Sequence, residues 1–371
     1  MLGRGRGLAG ILATAVLLIS ACGDGGVTES TTTGAAADSA ATSASSAAGS
    51  SGSAAAPVDY TGCLMVSSVG VADRSFNQQA WDAMQQAQDT LGITVKYLAQ
   101  SGSIDYPQMG DQFVQEGCDL IVGMGFNTTE TIERLAPENP DTDFILIDDA
   151  ISSPQPNVSS LHYQTDQASF LAGYLAAGMS KTGTIGVVGN VSIPPVELYM
   201  DGYVNGVKYY AEQKSADVKA IGWDTEARTG TFVGNFTDTN KGKLLVESEI
   251  QQGADIVLAL IGGGAEAIRA AGGPEKGYYL FWPDTDGCIT NEADCDLFLS
   301  SVLKNIQVSL FDVVSQAVAG DLPDGVYEGT LANEGVGIAP FHDADAAVPQ
   351  ALKDELVKVQ ADIVAGTITT S

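Results

Sequence analysis

Positive charge is scarce in this chain, and the scarcity removes whole classes of partner. Seventeen Lys and Arg face 46 Asp and Glu, for a net charge of −29 at pH 7. So acidic a chain has little with which to neutralise phosphates, so nucleic acid is not an expected partner. It is also unsuited to lying flat on anionic lipid. Imidazole is nearly absent, with His162 and His342 the two histidines, and no CxxC pair occurs among five cysteines. The spacing of a zinc site is therefore missing, and neither a metal nor a cofactor is expected. Nucleophile elbows and paired-histidine motifs are lacking too. Adjacent acids such as Asp148 with Asp149, or Asp284 with Asp286, are the remaining hydrolytic option. Neighbours in sequence need not converge on one bond, so the chain is not expected to be an enzyme.

What is present begins at the N-terminus. Arg4 and Arg6 form a short basic region, and residues 7–21 carry no charge. That run has the length of a signal-peptide core and is short for a bilayer span. It ends in Ile19-Ser20-Ala21-Cys22, which looks like a lipobox, with residues 1–21 removed and Cys22 acylated. Two or three acyl chains hold a protein stably to a membrane. The implied location is the outer face of the cell membrane, with the lipid bilayer itself as a partner through Cys22. Residues 23–57 are almost wholly Ser, Ala, Gly and Thr. They cannot bury enough apolar area to offset chain entropy and read as a tether, with a root-mean-square span of about 30–35 Å.

Residues 58–371 exceed what one small core usually organises, and two domains are the natural expectation. Without Arg4 and Arg6 the net charge moves from −29 to −31, a level that favours a soluble monomer. From residue 58 onward, short apolar runs alternate with amphipathic stretches. Runs at 64–68, 93–99, 120–124 and 144–147 are separated by helical patterns at 77–91, 105–116 and 129–136. A strand at 157–162 and a helix at 167–180 follow. The alternation restarts with strands at 184–188, 218–223, 256–259 and 278–282, and helices at 196–213, 241–252 and 264–271. A strand at 297–302 and helices at 304–319 and 347–365 then return to join the halves. The fold class is α/β, with two doubly wound parallel-sheet lobes around a hinged cleft. Residues 58–163 with about 287–325 are assigned to lobe I, and 164–286 with about 326–371 to lobe II. Four cysteines besides Cys22 suggest disulfides in an exported chain. Cys63 and Cys118 open strands that would lie side by side, which suits one bridge, and Cys288 and Cys295 would close a short loop.

Residues 67–81 read SSVGVADRSFNQQAW, with Ser75 a fair helix N-cap. This run resembles the first motif of the basic membrane protein (Bmp/Med-like) family of ABC-importer solute-binding lipoproteins, whose better-known members bind purine nucleosides. The resemblance continues through IVGMGF at 121–126, DTDFILID at 141–148, FLAGYLAA at 170–177 and GTIGVVG at 183–189. Later motifs are GYVNG at 202–206, GNFTD at 234–238, GADI at 253–256, DTD at 284–286 and SSVLK at 300–304. It implies a periplasmic-binding-protein type I fold, a small-molecule ligand, a nucleoside before others, and an ABC permease as partner.

A nucleoside offers a flat purine and a ribose diol. Flat rings stack on aromatics, which makes Phe76 the first candidate wall, with Phe126, Trp223, Phe236 and Trp282 as rivals. Asn77 can donate and accept at a purine edge. Asp148 and Asp284 suit ribose hydroxyls, and Lys304 would contact the sugar or answer a buried carboxylate. Each has a plainer reading: core for the aromatics, a cap for Asn77, turn chemistry for the aspartates, a helix surface for Lys304. Ser68 stands where the family has an aspartate near the end of the first strand and joins the ligand-binding candidates, and the family's glycine pair is shortened to Gly70. A hydroxyl does not replace a charged acceptor, so sugars and other polar solutes stay open as ligands. So does a ligand-sensing lipoprotein that reports to a membrane receptor. Gly262-Gly263-Gly264 lacks the Lys-Ser/Thr of a phosphate loop and reads as a turn against the cleft.

Overall fold

The computed structural model describes residues 56–102 and 104–371. The expected signal segment, the acylated Cys22 and the tether up to residue 55 lie outside the described residues.

The chain order opens with β1 (Thr61–Val66), α1 (Phe76–Leu91), β2 (Thr94–Ala99), α2 (Tyr106–Gln115), β3 (Leu120–Met124), α3 (Thr129–Glu138), β4 (Asp143–Ile147) and β5 (Val158–Tyr163). It continues with α4 (Thr165–Met179), β6 (Thr184–Val188), α5 (Pro194–Lys214), β7 (Lys219–Ile221), the short pair β8 (Trp223–Asp224) and β9 (Thr229–Gly230), α6 (Thr239–Gln251), β10 (Ile256–Ala259) and α7 (Gly264–Ala271). The last elements are β11 (Tyr279–Asp284), α8 (Gly287–Thr290), β12 (Phe298–Lys304), α9 (Ile306–Val318), β13 (Gly325–Gly329), β14 (Val336–Ile338) and α10 (Gln350–Val364).

Two six-stranded sheets result. The first runs β13-β5-β4-β3-β1-β2 and the second β14-β12-β11-β10-β6-β7. Within these two sheets every pairing is parallel except that of β12 with β14, and β8 and β9 form a separate antiparallel pair. The central strands β3, β6 and β10 are buried at every residue, as strands covered by helices on both faces must be. That is why they appear in sequence as unbroken apolar runs instead of alternating ones. In each sheet the order reverses beside the first strand of the lobe, and this reversal opens a crevice at the carboxyl ends of the strands.

Among the described residues the chain crosses between lobes three times: between β5 and α4, between β12 and α9, and between β13 and β14. The crossings are tied to one another. Gln164 N donates to Gly329 O at 2.8 Å and Asn305 N to Gly335 O at 2.9 Å. Tyr163 and Ser309 share a hydroxyl hydrogen bond of 2.6 Å. Three parallel connections of this kind form a hinge.

Residues from about 287 were expected in the first lobe. Instead β12 pairs with β11 in the second sheet. Only α9, which packs on α1, and β13 return to the first. The reason lies in the pattern: 297–302 is as apolar as any central strand, and periodicity does not say which sheet takes a strand. The helix expected from residue 304 begins at Ile306, with Lys304 the last residue of β12.

Both expected bridges form, Cys63–Cys118 and Cys288–Cys295. The first follows from the parallel pairing of β1 with β3. Within the second lobe α4 and α5 meet at glycines. A Cβ on Gly173, Gly202 or Gly206 would sit 2.0–2.2 Å from a backbone carbonyl oxygen of the facing helix. These helices touch backbone to backbone, and α4 is buried on nearly every side.

Candidate functional site

A cavity of ≈ 260 Å³ lies where the carboxyl ends of the two sheets face each other. The first lobe supplies Ser67, Asp73, Phe76, Asn77, Phe126 and Asp148 to its lining, and the second Tyr199, Phe236, Trp282, Asp284 and Lys304.

Asp148 follows β4 and Asp284 ends β11, the third strand of each sheet order. Both are left-handed, with φ of 61° and 66°, a conformation that aspartate tolerates better than most residues. The two lobes thus present one carboxylate each from equivalent positions. Asp148 accepts a hydrogen bond from Lys304 Nζ, an ion pair that crosses the cleft with side chains 3% and 10% exposed for lysine and aspartate. Burial pushes the Asp148 carboxyl up, while the charge and hydrogen bond of Lys304 pull it back. The Lys304 ammonium lies 5.2 Å from the centre of the Phe76 ring, 5.3 Å from Tyr199 and 5.6 Å from Tyr163. Three aromatic faces and one carboxylate hold a cation that would otherwise be expensive to bury.

Asp284 Oδ1 accepts from the Tyr199 hydroxyl at 2.6 Å, and its Oδ2 accepts from Ser75 Oγ across the cleft. Burial first, and the neighbouring Asp284 charge next, raise the Tyr199 phenol well above its ordinary value. The hydroxyl therefore acts as a fixed donor.

Ser75 does not cap α1 as expected, because its hydroxyl serves Asp284. Asp73 caps the helix instead, accepting backbone N–H groups of Ser75, Asn77 and Gln78 at 3.1, 2.9 and 3.0 Å. Burial raises the Asp73 carboxyl against these bonds. Asn77 donates its amide hydrogens to Ser67 Oγ at 3.0 Å and Gly70 O at 3.1 Å. It thereby closes the 67–77 loop.

Eight of the ten sequence-derived candidates meet in this cavity: Phe76, Asn77, Phe126, Asp148, Phe236, Trp282, Asp284 and Lys304. Two do not. Ser68 sits in an exposed turn, and its neighbour Ser67 lines the cavity. Trp223 opens β8 and lines no part of this cavity. Its Nε1 donates to Asp201 at 2.8 Å and Arg228 covers its ring at 5.1 Å. The strand expected at 218–223 breaks at Gly222, φ 91°, so that Trp223 begins the separate short strand β8. Trp282, a rival candidate, is in the lining. Tyr199 was missed, and no local pattern marks it: it is a tyrosine in the second turn of an ordinary helix. Asp73 could have been found as an acid just ahead of a helix start. Asp286, Cys288 and His342 are near enough to share a metal, but the sulfur of Cys288 is committed to Cys295.

The family model for ABC transporter substrate-binding proteins of the PnrA-like type, Bmp, matches residues 62–370. The CD4+ T-cell-stimulating antigen of Listeria monocytogenes is 27% identical over 320 residues, 81% of this chain and 84% of its own length. The ABC transporter nucleoside-binding protein BmpA of Lactococcus lactis is 26% identical over 329 residues, 84% of this chain and 89% of its own. In three dimensions the chain is similar to an ABC transporter solute-binding protein from Aeropyrum pernix K1. The TM-score is 0.73 at 22% identity, covering 84% of this chain and 92% of that one.

Proposed function

This chain belongs to the Bmp family of ABC transporter substrate-binding proteins, and we propose that it captures a nucleoside, a purine nucleoside before others, in the interlobe cavity and delivers it to an importer permease. The observation that carries this reading is the lining itself. Aromatic rings from both lobes, Phe76 and Phe126 facing Phe236 and Trp282, share one cavity with two carboxylates at strand ends. Rings of this kind grip a flat base. Carboxylates offer about four lone-pair sites each, so Asp148 and Asp284 retain acceptor capacity for a ribose diol beyond the bonds they already take. The Asn77 Oδ1 adds an acceptor for a base edge. A cavity of ≈ 260 Å³ is near the small end for solute sites and suits one compact ligand. The Lactococcus relative is named as nucleoside-binding, which supports the same class.

Closure of the lobes about the three crossings holds the solute, which leaves unchanged. Cys22, once acylated, keeps the protein on the outer face of the membrane. No helix among the described residues is long and apolar enough to cross a bilayer.

The test is thermal shift of the protein, stripped of solute by unfolding and refolding, against nucleosides, bases, sugars and amino acids. A ligand at about 100 times its Kd stabilises by roughly 2.7 kcal/mol. A shift with purine nucleosides, lost in Phe76→Ala and in Asn77→Ala, supports the proposal. A response confined to sugars moves the substrate to that class, whose hydroxyls the two carboxylates would equally accept. Unchanged affinity in both variants removes Phe76 and Asn77 from the site.

A further inference from the structure

The cavity does not account for a set of contacts just beyond its rim. Arg74 precedes Ser75 in the loop that leads from β1 to α1, and it is not part of the cavity lining. Its backbone is left-handed, φ 59°, a conformation that a long side chain does not favour and that surrounding contacts must impose. Those contacts come from the other lobe. Arg74 Nη1 donates to Asn291 Oδ1 at 2.9 Å, and the Arg74 carbonyl accepts from Thr285 Oγ1 at 2.8 Å. The partners are buried: Asn291 is 7% exposed and Thr285 9%. Neither lines the cavity.

The receiving side is rigidly built. Asn291 N donates to Gly287 O at 2.7 Å, and its Nδ2 donates to Thr290 Oγ1 at 3.2 Å. It lies within the loop closed by Cys288–Cys295, a separation of seven residues. A ring that short has few conformations to lose, so Asn291 is presented to the first lobe in a preset position.

We propose that Arg74, Thr285 and Asn291 form an interlobe clasp, braced by the Cys288–Cys295 disulfide, that prolongs the closed state and so sets how long a captured solute is retained, without touching it. The proposal rests on the reading that the lobes close over a solute. The physical argument is differential. When the lobes part, the Arg74 guanidinium and carbonyl return to water, so their bonds to Asn291 and Thr285 count only in the closed form. Changes of this kind act on dissociation more than on association. A hydrogen bond from a charged donor to a buried acceptor is strong enough to alter a dissociation rate on the order of tenfold. Contacts that do not involve the solute alter all solutes alike, and this separates the clasp from the cavity wall.

The experiment uses the full chain as wild type, Arg74→Ala, Arg74→Lys and Cys288→Ser/Cys295→Ser, each checked for native circular dichroism. Small-angle X-ray scattering without solute is the first arm. Arg74→Ala and the double serine variant are expected to scatter as more open particles than wild type, with Arg74→Lys between them and wild type. A profile of Arg74→Ala identical to wild type overturns the clasp, and one for the serine variant identical to wild type overturns the disulfide's part in it. The second arm is stopped-flow release of inosine. Release on the order of tenfold faster from Arg74→Ala, with the inosine-to-adenosine preference unchanged, is expected. Equal release, or an altered preference, overturns the retention role. If wild type binds neither nucleoside, the nucleoside reading fails, and the scattering arm alone decides the clasp.

Discussion

Replacing Lys304 by methionine isolates the charge at the centre of the cleft. Methionine has similar length and keeps most of the packing against Phe76, Tyr163 and Tyr199, so what is lost is the cation. The partner left behind, Asp148, has a side chain only 10% exposed. Removing one member of a buried pair typically destabilises by about 3–5 kcal/mol, because the other charge stays uncompensated. The pH dependence carries a definite sign. Burial already raises the Asp148 carboxyl, and Lys304 is the largest influence lowering it. Without Lys304 it rises further. A carboxyl held above its unfolded value binds its proton more tightly in the folded state. Its stabilising contribution is complete below the unfolded value of about 3.9 and is lost as pH climbs through the folded value. The deficit of Lys304→Met relative to wild type should therefore shrink between pH 7 and about pH 5. Urea unfolding followed by tryptophan fluorescence, without solute, measures both quantities. Adding Asp148→Asn to Lys304→Met should recover most of the loss at pH 7. A deficit under about 1 kcal/mol at pH 7, or one that widens on acidification, would refute the reasoning.

Gly206→Ala tests the contact of α4 with α5. The added methyl would lie 2.1 Å from Phe170 O, so the helices must separate by more than an ångström. The helix-propensity gain of about 1 kcal/mol should be outweighed by overpacking, for a net loss of about 2 kcal/mol or more, read as a lower urea midpoint. Cys63→Ala/Cys118→Ala removes a closure of 55 residues and Cys288→Ser/Cys295→Ser one of seven. Chain entropy assigns them about 4 and about 2 kcal/mol. Equal losses in denaturation would show that loop length does not govern their effects.

Much of the architecture could be read from residue order because it rests on short-range physics. Strands buried on both faces must be apolar throughout, as β3 and β10 are, and helices between them must be amphipathic. Most elements therefore stood where their patterns placed them. The candidate site was legible to the extent that its residues sit at the carboxyl ends of strands or the starts of helices. Phe76, Asn77, Phe126, Asp148 and Asp284 were found on that ground together with the family motifs. Where the local signal has two meanings, the tertiary surroundings decide between them. Ser75 has the chemistry of an N-cap, yet Asp73 reaches the same backbone N–H groups with a charged acceptor, the stronger partner. Trp223 ends an apolar run like a cleft residue, but Gly222 bends the chain beforehand.

The sequence by itself determined the alternating α/β elements and the family motifs, because each depends on periodicity, spacing or motif within a few tens of residues; the cysteine pairs and the sheet that takes β12 waited on strand adjacency. Tertiary structure alone decided which groups face each other across the cleft. Lys304 meets Asp148 over 156 positions of chain, Ser75 meets Asp284 over 209 and Arg74 meets Asn291 over 217. No local pattern encodes such partners. They are set by three crossings of the chain between two sheets, which bring the carboxyl ends of strands from both lobes to one place.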